Sequence, residues 1–349
     1  NSKNYGYISL PKFYADFDNY KNRNSANDVK NEIIKLKNNG IKGLILDLRN
    51  NGGGSLQTVV EMTGLFIEKG PVVQVKSIGN RKKILYDRDA QVYWNGPLVV
   101  LINEMSASAS EIISAALQDY NRAIIIGSKK SFGKGTVQNI VDLNRFISNS
   151  DYDMGAIKVT TDIFYRINGE SVQLEGVESD IVIPDSYMYL FNGERDEKNP
   201  LKWDKIGPAT YTKWNKYNDK FKYATDQMNK KLNQNNIIND IYERANWIKS
   251  QQSISNIPLN LVKYKKYQKD QKLKASQFDK ILSYENQLSF NFLKTEKTFI
   301  KANKELFEAR LKWHKNLSKD IFIDQAVNTL DLIDSSIKTN YILAENKTE

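Results

Sequence analysis

The sequence predicts an α/β core followed by a mainly α-helical domain. Three short apolar runs, Lys42 to Leu48, Pro97 to Ile102 and Ala123 to Gly127, are typical of strands buried on both faces of a parallel sheet. Amphipathic segments with helical spacing lie between them, which indicates strand–loop–helix units packed on one sheet. Later in the chain glycine nearly disappears, while lysine, asparagine and tyrosine increase. We therefore predict an α/β core at residues 1–186 and a Lys-rich helical domain at residues 187–349.

Local signals place the elements of the core. Ser25 can cap a helix whose apolar residues lie on one face until Asn39-Gly40 ends it. Gly70-Pro71 ends a second helix, and Asn168-Gly169 is a hairpin signal. The predicted order is strand 5–10, helix 25–38, strand 42–48, helix 56–67, strand 72–76, a polar hairpin or excursion at 77–95, strand 97–102, helix 109–119, strand 123–127, strands 135–141 and 156–167, and strand 181–184.

The helical domain is predicted from apolar residues at helical spacings between charged positions, in residues 211–252 and 262–346. Pro258 predicts a bend between helices in the intervening segment. The formal net charge of +10 is concentrated here, because residues 1–186 carry only +1. Such asymmetry fits either an acidic partner or surface, or a solvated helical domain in a lysine-rich proteome.

Composition excludes several kinds of catalytic site. The chain contains no cysteine, so a thiol nucleophile, thiolate metal sites and disulfides are excluded. Its one histidine, His314, lies in a Lys-rich helical segment, which is a poor context for a Ser-His-Asp triad. No apolar run is long enough to span a membrane. Serine activated by lysine remains a chemically sound alternative.

Three polar or glycine-rich loops follow the three apolar strands, at residues 50–54, 103–110 and 127–134. Ligands bind beyond the carboxyl ends of the strands in open α/β sheets, so these loops are expected to form one site. The first contains three consecutive glycines that leave backbone N–H groups free to face an oxyanion. The second contains Ser106, Ser108 and Ser110 at a helix start, and their chemistry does not select one of them. The third ends at Lys134, and we infer a peptidase in which lysine activates a serine.

A lysine base must be neutral to accept a proton. At the ordinary lysine pKa of about 10.4, about one side chain in 2,500 is neutral at pH 7. Lowering the pKa of Lys134 to 7 requires about 4.6 kcal/mol, from burial or cationic neighbours. Gly133 and Gly135 flank this lysine, and with Phe132 nearby they are expected to place its amine in an apolar slot.

Collinear stretches between residue 5 and about residue 185 resemble the carboxyl-terminal processing, or tail-specific, serine peptidases. These stretches are GYISLPKFYADF, KGLILDLRNNGGGSLQ, MTGLFIEKGPVVQV, GPLVVLINEMSASASE, LQDYNRA, SFGKGTVQ and KVTTDIFYRINGESVQLEGVESDIVIPD. DEKNPLKWDKI and KDIFIDQAVNTLDLI resemble the helical extension of the family's long periplasmic branch.

The resemblance implies a crotonase-like α/β core with a Ser/Lys dyad. It implies that Ser108 is the nucleophile, that Lys134 is the general base and that Gln138 orients the lysine. It also implies an oxyanion hole formed by the N–H groups of Gly54 and Ala109. The positions that it implies to support the site are Arg49, Gly53, Glu111 and Asp119.

Two departures from the family pattern are expected to matter. The interval from Ser108 to Lys134 is 26 residues, one longer than the family pattern, and SKKS before Phe132 holds the additional residue. The loop that contains SKKS must absorb this residue without moving Lys134. The second departure is that the chain begins after the positions where the family places an N-terminal helical region and a peptide-binding PDZ domain, and it shows no signal peptide.

The resemblance implies protein substrates with apolar C-termini, a periplasmic location, no cofactor and no metal. It allows an adaptor protein and peripheral membrane association, and no nucleic-acid partner is expected. Three alternatives remain open: an inactive peptide-binding scaffold, a crotonase-type acyl-CoA enzyme, and nucleic-acid binding by the basic helical domain. Labelling by a fluorophosphonate, binding of CoA, and salt-dependent binding of DNA distinguish them.

Overall fold

A computed structural model describes residues 3–16, 19, 22–77, 79–146, 152–190 and 193–345, with side chains as far as residue 335. The strands are β1 Tyr5–Ser9, β2 Gly43–Asp47, β3 Gly70–Ser77, β4 Lys82–Asp87, β5 Leu98–Ile102, β6 Ile124–Gly127, β7 Thr136–Asp142, β8 Ala156–Tyr165 and β9 Ile181–Val182. The α-helices are α1 Ser25–Asn38, α2 Leu56–Gly64, α3 Ala109–Asp119, α4 Asn218–Asn233, α5 Asn236–Gln252, α6 Leu261–Ser276, α7 Asp279–Leu282, α8 Lys297–Ala302, α9 Lys304–Leu317 and α10 Ile321–Glu345. None of these helices combines the length and apolar character that crossing a bilayer requires.

A five-stranded parallel sheet in the order β1-β2-β5-β6-β9 forms the centre of the molecule. Every residue of β2, β5 and β6 is buried, as the continuous apolar runs predicted. Side chains of a strand alternate between the two faces of a sheet. Leu44 and Leu46 accordingly join the core that contains α1, α2 and α3, whereas Ile45 joins a second core with Met228 and Leu330.

The second core shows how the helical domain is attached. Helices α4 and α10 pack against each other, and their apolar residues cover the face of the parallel sheet opposite α1 to α3. Val99 and Leu101 of β5 share this core with Phe221 of α4 and Ile333 of α10. The helical domain is therefore one layer of a three-layer α/β/α sandwich, which confirms the predicted α/β class with a helical C-terminal region.

A separate antiparallel sheet, in the order β4-β3-β8-β7, lies beside the sandwich. The sequence predicted a strand at residues 72–76 without assigning it to a sheet. Strand β3 pairs with β4, in the predicted polar hairpin, and with β8, which is distant in sequence. An apolar strand pattern indicates burial, but not which strand it pairs with.

Several predicted ends also differ. Asn24 rather than Ser25 caps α1, since its Oδ1 accepts from Asn27 N at 3.0 Å. The second predicted helix ends at Gly64, and residues 211–217 precede the first helix of the C-terminal region. Residues 283–296, within the predicted helical stretch, form a loop, and the last residue of that stretch lies outside the described part. The Asn39-Gly40 stop is confirmed, with φ of 74° at Gly40.

Candidate active site

The three loops that follow β2, β5 and β6 meet at the carboxyl edge of the parallel sheet, as predicted. Ala107 N donates to Asn51 O at 3.0 Å, which joins the glycine loop to the serine loop. Phe132 N donates to Ser106 O at 3.1 Å, which joins the serine loop to the loop that carries the lysine. Parallel strands place their carboxyl ends at one edge, so three separate stretches of sequence form one site.

The three serines of the SASAS run have different environments. Ser106 Oγ donates to Leu48 O at 2.8 Å, and Ser110 Oγ donates to Asn51 O at 2.8 Å; both residues are fully buried. Ser108 is partly exposed, and among the described residues its Oγ donates no hydrogen bond. The structure therefore distinguishes the serines where the residue types could not: of the three, only the middle hydroxyl is accessible and does not donate to a backbone carbonyl.

Ser108 also has an unusual backbone conformation. Its φ is 57° and its ψ is −112°, directly before the first residue of α3. A residue other than glycine in this region is strained by roughly 1–3 kcal/mol, and such strain clusters at functional sites. A sharp strand-to-helix turn of this kind presents the side chain at the top of a sheet, as the nucleophile turn of α/β-hydrolases does.

Two backbone N–H groups beside Ser108 are unpaired. Neither Gly54 N nor Ala109 N donates a hydrogen bond within the described part of the chain. The two segments are in close contact, because a Cβ atom on Gly53 would lie 2.8 Å from Ser108 Cβ and 3.0 Å from Ala109 N. With φ of 101°, Gly53 is also in a conformation that favours glycine. Free backbone N–H groups of this kind are the donors that oxyanion holes use.

Glu111 links the serine loop to the lysine loop. Its Oε2 accepts from Ser108 N at 2.8 Å and from Lys134 N at 3.0 Å. Its Oε1 accepts from Ser131 Oγ at 2.6 Å and from Gly133 N at 2.7 Å. The side chain is fully buried, and burial raises the pKa of the carboxyl to about 7 although these four hydrogen bonds oppose the change. One carboxylate thus fixes the backbone of both predicted dyad residues.

Lys134 lies between β6 and β7, and Gln138 lies on β7 of the antiparallel sheet. Lys134 Nζ donates to Gln138 Oε1 at 3.1 Å, the contact expected of an orienting residue. No hydrogen bond joins Ser108 Oγ to Lys134 Nζ among the described residues. The lysine is half-buried, and the apolar slot expected around its amine stays a prediction. The flanking glycines bring the loop against the backbone of Leu174 and against Gln173.

Residues 129–131, which precede Phe132 and Lys134, differ in exposure and in their contacts. Lys129 is exposed, and Lys130 forms ion pairs with Glu175 and Glu178. On the lysine side, the next residue, Ser131, is fixed by its N–H, which donates to Val177 O at 3.1 Å. Ser131 also donates to Glu111, so the loop is fixed from Ser131 onward, and the additional residue relative to the family pattern stays a prediction.

The remaining predicted supporting residues lie in two places. Arg49 follows β2, at the edge of the site, where its guanidinium bonds Asp47 and Asp320. Burial lowers the pKa of this group, but the two carboxylates outweigh that effect and raise it. Asp119 ends α3, about 16 Å along the helix from Ser108, where it pairs with Arg166 at 2.6 Å. The structure does not bring Asp119 to the site.

Sequence reasoning missed three residues of this arrangement. Asn51 is fully buried, donates to Leu10 O and accepts from Gly53 N at 2.9 Å, so it shapes the glycine loop. Its place before the three glycines was the available signal. Ser131 could be identified only from its contact with Glu111. Asp320 had no signal, because it is 271 residues from its partner Arg49. Within the described residues no group of three metal-binding side chains occurs.

Comparisons with known proteins agree with the geometry. The model of peptidase family S41 matches residues 4–183, and the model of the C-terminal domain of tail specific protease (DUF3340) matches residues 187–334. A tail-specific protease of Haemophilus influenzae is 44% identical over 209 residues, which cover 60% of this chain and 29% of that protein. A carboxy-terminal-processing protease of Bartonella bacilliformis is 39% identical over 132 residues, which cover 38% of this chain and 28% of that protein.

Among solved structures, a photosystem II D1 C-terminal processing protease aligns with a TM-score of 0.43 and 30% identity, over 51% of this chain and 42% of that one. The chain spans less than a third of the length of the two curated relatives. The family matches confirm the resemblance inferred from the sequence motifs.

Proposed function

Because the chain belongs to peptidase family S41, we propose that it is the catalytic part of a serine endopeptidase with Ser108 as nucleophile and Lys134 as general base. One observation carries the proposal: of three neighbouring serines, only Ser108 has an accessible hydroxyl that donates to no other described residue, and it lies in a strained turn next to the glycine loop. A scaffold without catalytic activity would have no need of that strain.

The first half of the proposed reaction forms an acyl-enzyme. Neutral Lys134 takes the proton from Ser108 Oγ, and the oxygen attacks the carbonyl carbon of the peptide bond. The N–H groups of Gly54 and Ala109 stabilise the oxyanion, and each such donor contributes about 3 kcal/mol. The tetrahedral intermediate collapses, the C–N bond breaks, and the lysine ammonium gives its proton to the leaving amine.

The second half releases the new C-terminus. Lys134 takes a proton from water, the hydroxide attacks the ester carbonyl, and the proton returns to Ser108 Oγ as the C–O bond breaks. Gln138 supports the lysine in both halves, because its Oε1 accepts one N–H of the amine and leaves the lone pair for Ser108. The anchored backbones leave rotation of the lysine side chain as the movement that brings Nζ to Oγ.

The proposed substrates are proteins with apolar C-terminal tails, as the resemblance to tail-specific proteases suggests. We expect the purified protein to cleave a carrier protein ending in Leu-Ala-Ala at least tenfold faster than the same carrier ending in Asp-Asp-Asp. An apolar tail gains free energy on transfer from water to an apolar site, whereas a charged tail must be desolvated. Cleavage is followed by mass spectrometry of both fragments.

The control is a fluorophosphonate probe, which reports the active serine independently of tail recognition. If Ser108 is labelled and the two carriers are cleaved at the same rate, the tail preference is contradicted and the peptidase activity stands. No label and no cleavage would overturn the peptidase and favour the scaffold alternative.

We also propose a periplasmic enzyme that associates peripherally with the membrane, either directly or through an adaptor protein. The absence of cysteine suits an oxidising compartment. A basic face on α6 supports direct association: no residue of this helix is buried, and Lys265, Lys266, Lys269 and Lys272 lie on one side of it. Val262 and Leu273 on the same side are 76% and 66% exposed. Basic helices with exposed apolar residues bind anionic lipid surfaces.

Vesicle binding tests this face. The protein is expected to co-sediment with phosphatidylglycerol vesicles more than with phosphatidylcholine vesicles, and K265E/K269E should reduce that binding at least fivefold, since each basic residue near such a surface contributes about 1 kcal/mol. K230E/K231E, on exposed positions of α4, makes the same charge change elsewhere and should have a smaller effect. Equal losses for the two variants would contradict a specific role of α6.

A further inference from the structure

Arg49 lies between the catalytic core and the helical domain. Its Nε and Nη2 donate to Asp47 of β2, with Nη2 to Oδ2 at 2.6 Å. Its Nη1 and Nη2 also donate to the two carboxylate oxygens of Asp320, at 3.1 and 2.8 Å. Asp320 belongs to the helical domain and immediately precedes α10. The arginine side chain is 15% exposed and the Asp320 side chain 23%, so this forked pair is largely removed from water.

The backbone from Arg49 leads directly to the proposed oxyanion loop. Asn50 N donates to Asn103 Oδ1 at 2.8 Å, and Asn103 Nδ2 donates back to Asn50 Oδ1 at 2.9 Å. The carbonyl of Asn51 accepts from Ala107 N and from Ser110 Oγ, on either side of Ser108. The position of Arg49 therefore sets the start of the segment that ends at Gly54.

We propose that Asp320 is a positioning residue for peptide cleavage, through which the helical domain holds Arg49 and thereby the glycine loop beside Ser108. This inference rests on the proposed peptidase function. A guanidinium bound bidentately by a carboxylate on each side has little freedom to rotate, so the backbone that carries it is fixed as well. The helical domain thus takes part in assembling the catalytic site, in addition to covering the sheet.

Asp320 has a second role that a test must preserve. Its Oδ1 accepts from Phe322 N at 2.9 Å, so it caps α10. Asparagine and serine both cap helices as well as aspartate does. D320N keeps the cap and the size but loses the charge and one acceptor, and D320S keeps the cap but is too short to reach Arg49. Both variants separate the contact with Arg49 from the stability of the helix.

We expect D320N and D320S to lower kcat between about 10-fold and 100-fold, with KM for a peptide substrate unchanged within about twofold. A forked charge-assisted contact of this kind has about this effect when it is removed. The rate of fluorophosphonate labelling at Ser108 should fall in parallel, because the phosphonyl oxygen uses the same N–H donors. D320N should have no further effect in an R49M background, since the contact is already absent there.

The matched control is D331N. It weakens a different set of contacts between α10 and the core, in which Lys3 and Tyr5 donate to Asp331 at the far end of the sheet. It should lower the melting temperature and leave kcat unchanged. Loss of kcat in D331N equal to that in D320N would show that both act only through domain attachment, and would overturn the inference. Full activity of D320S would overturn it directly. Absence of labelling and cleavage in the unmodified protein would instead refute the proposed function.

Discussion

Replacing Ser108 with alanine is expected to lower kcat by at least about 10³-fold and to abolish fluorophosphonate labelling. The physical reason is that the attacking oxygen is removed, while Ser106 and Ser110 remain buried and bonded to backbone carbonyls. The free energy of unfolding should change by less than about 0.5 kcal/mol, because Ser108 is partly exposed and its Oγ donates no hydrogen bond within the described residues. Cleavage kinetics and thermal unfolding of the same preparation measure both effects.

Lys134→Ala is expected to reduce kcat by a similar factor, because in the proposed reaction the lysine amine takes the proton from Ser108 Oγ and gives it to the leaving amine. Lys129→Ala is the matched control: it removes a lysine of the same loop whose side chain is exposed, and activity should stay within twofold. Cleavage by the Lys134 variant at the rate of the unmodified protein would refute the dyad, whatever the effect at Ser108.

Glu111→Gln is expected to destabilise the protein by about 2–4 kcal/mol and to reduce kcat at least tenfold. The carboxylate only accepts, and three backbone N–H groups and one hydroxyl point at it. An amide in its place turns an NH₂ group toward buried N–H donors, which leaves them unsatisfied. The backbones of Ser108 and Lys134 then lose their common anchor. Denaturant unfolding and kcat together measure the effect.

The pH dependence of stability tests the same residue independently. Burial raises the pKa of Glu111 from 4.5 to about 7, so the unfolded chain releases this proton at lower pH than the folded one. The folded chain therefore binds more protons than the unfolded chain between about pH 4.5 and pH 7, so the free energy of unfolding declines by about 3 kcal/mol as the pH rises through this range. The glutamine variant lacks this slope. E178Q, at an exposed glutamate, should retain it, and identical slopes in all three proteins would refute the assignment.

The elements that could be predicted are those whose signal is local. The buried runs of β2, β5 and β6 were identified because their residues are apolar without interruption, and α3 because a serine-rich start precedes helical spacing. The partners of β3 could not be predicted, for the opposite reason. Its pairing with β8 joins residues about ninety positions apart, and no property of the strand itself selects that partner over the parallel sheet.

In the candidate site, too, some features could be predicted from local motifs and others required the tertiary structure. Motif resemblance pointed to Ser108, Lys134, Gln138 and the glycine loop, and the structure places them around one sheet edge, where their roles stay predictions. The distinction among the serines required the carbonyls of Leu48 and Asn51, which come from another loop. The common contact of Ser108 and Lys134 with Glu111 likewise required the two loops to be packed together.

The sequence by itself determined the α/β class, the loops that follow the strands and the chemistry that these loops offer, because periodicity and side-chain type are properties of neighbouring residues. Only the tertiary structure decided that α4 and α10 form the second layer on the sheet, and that Asp320 reaches Arg49 from 271 residues away. The physical reason is that such contacts arise when distant apolar faces are buried together, and the burial of one face does not specify which residues cover it.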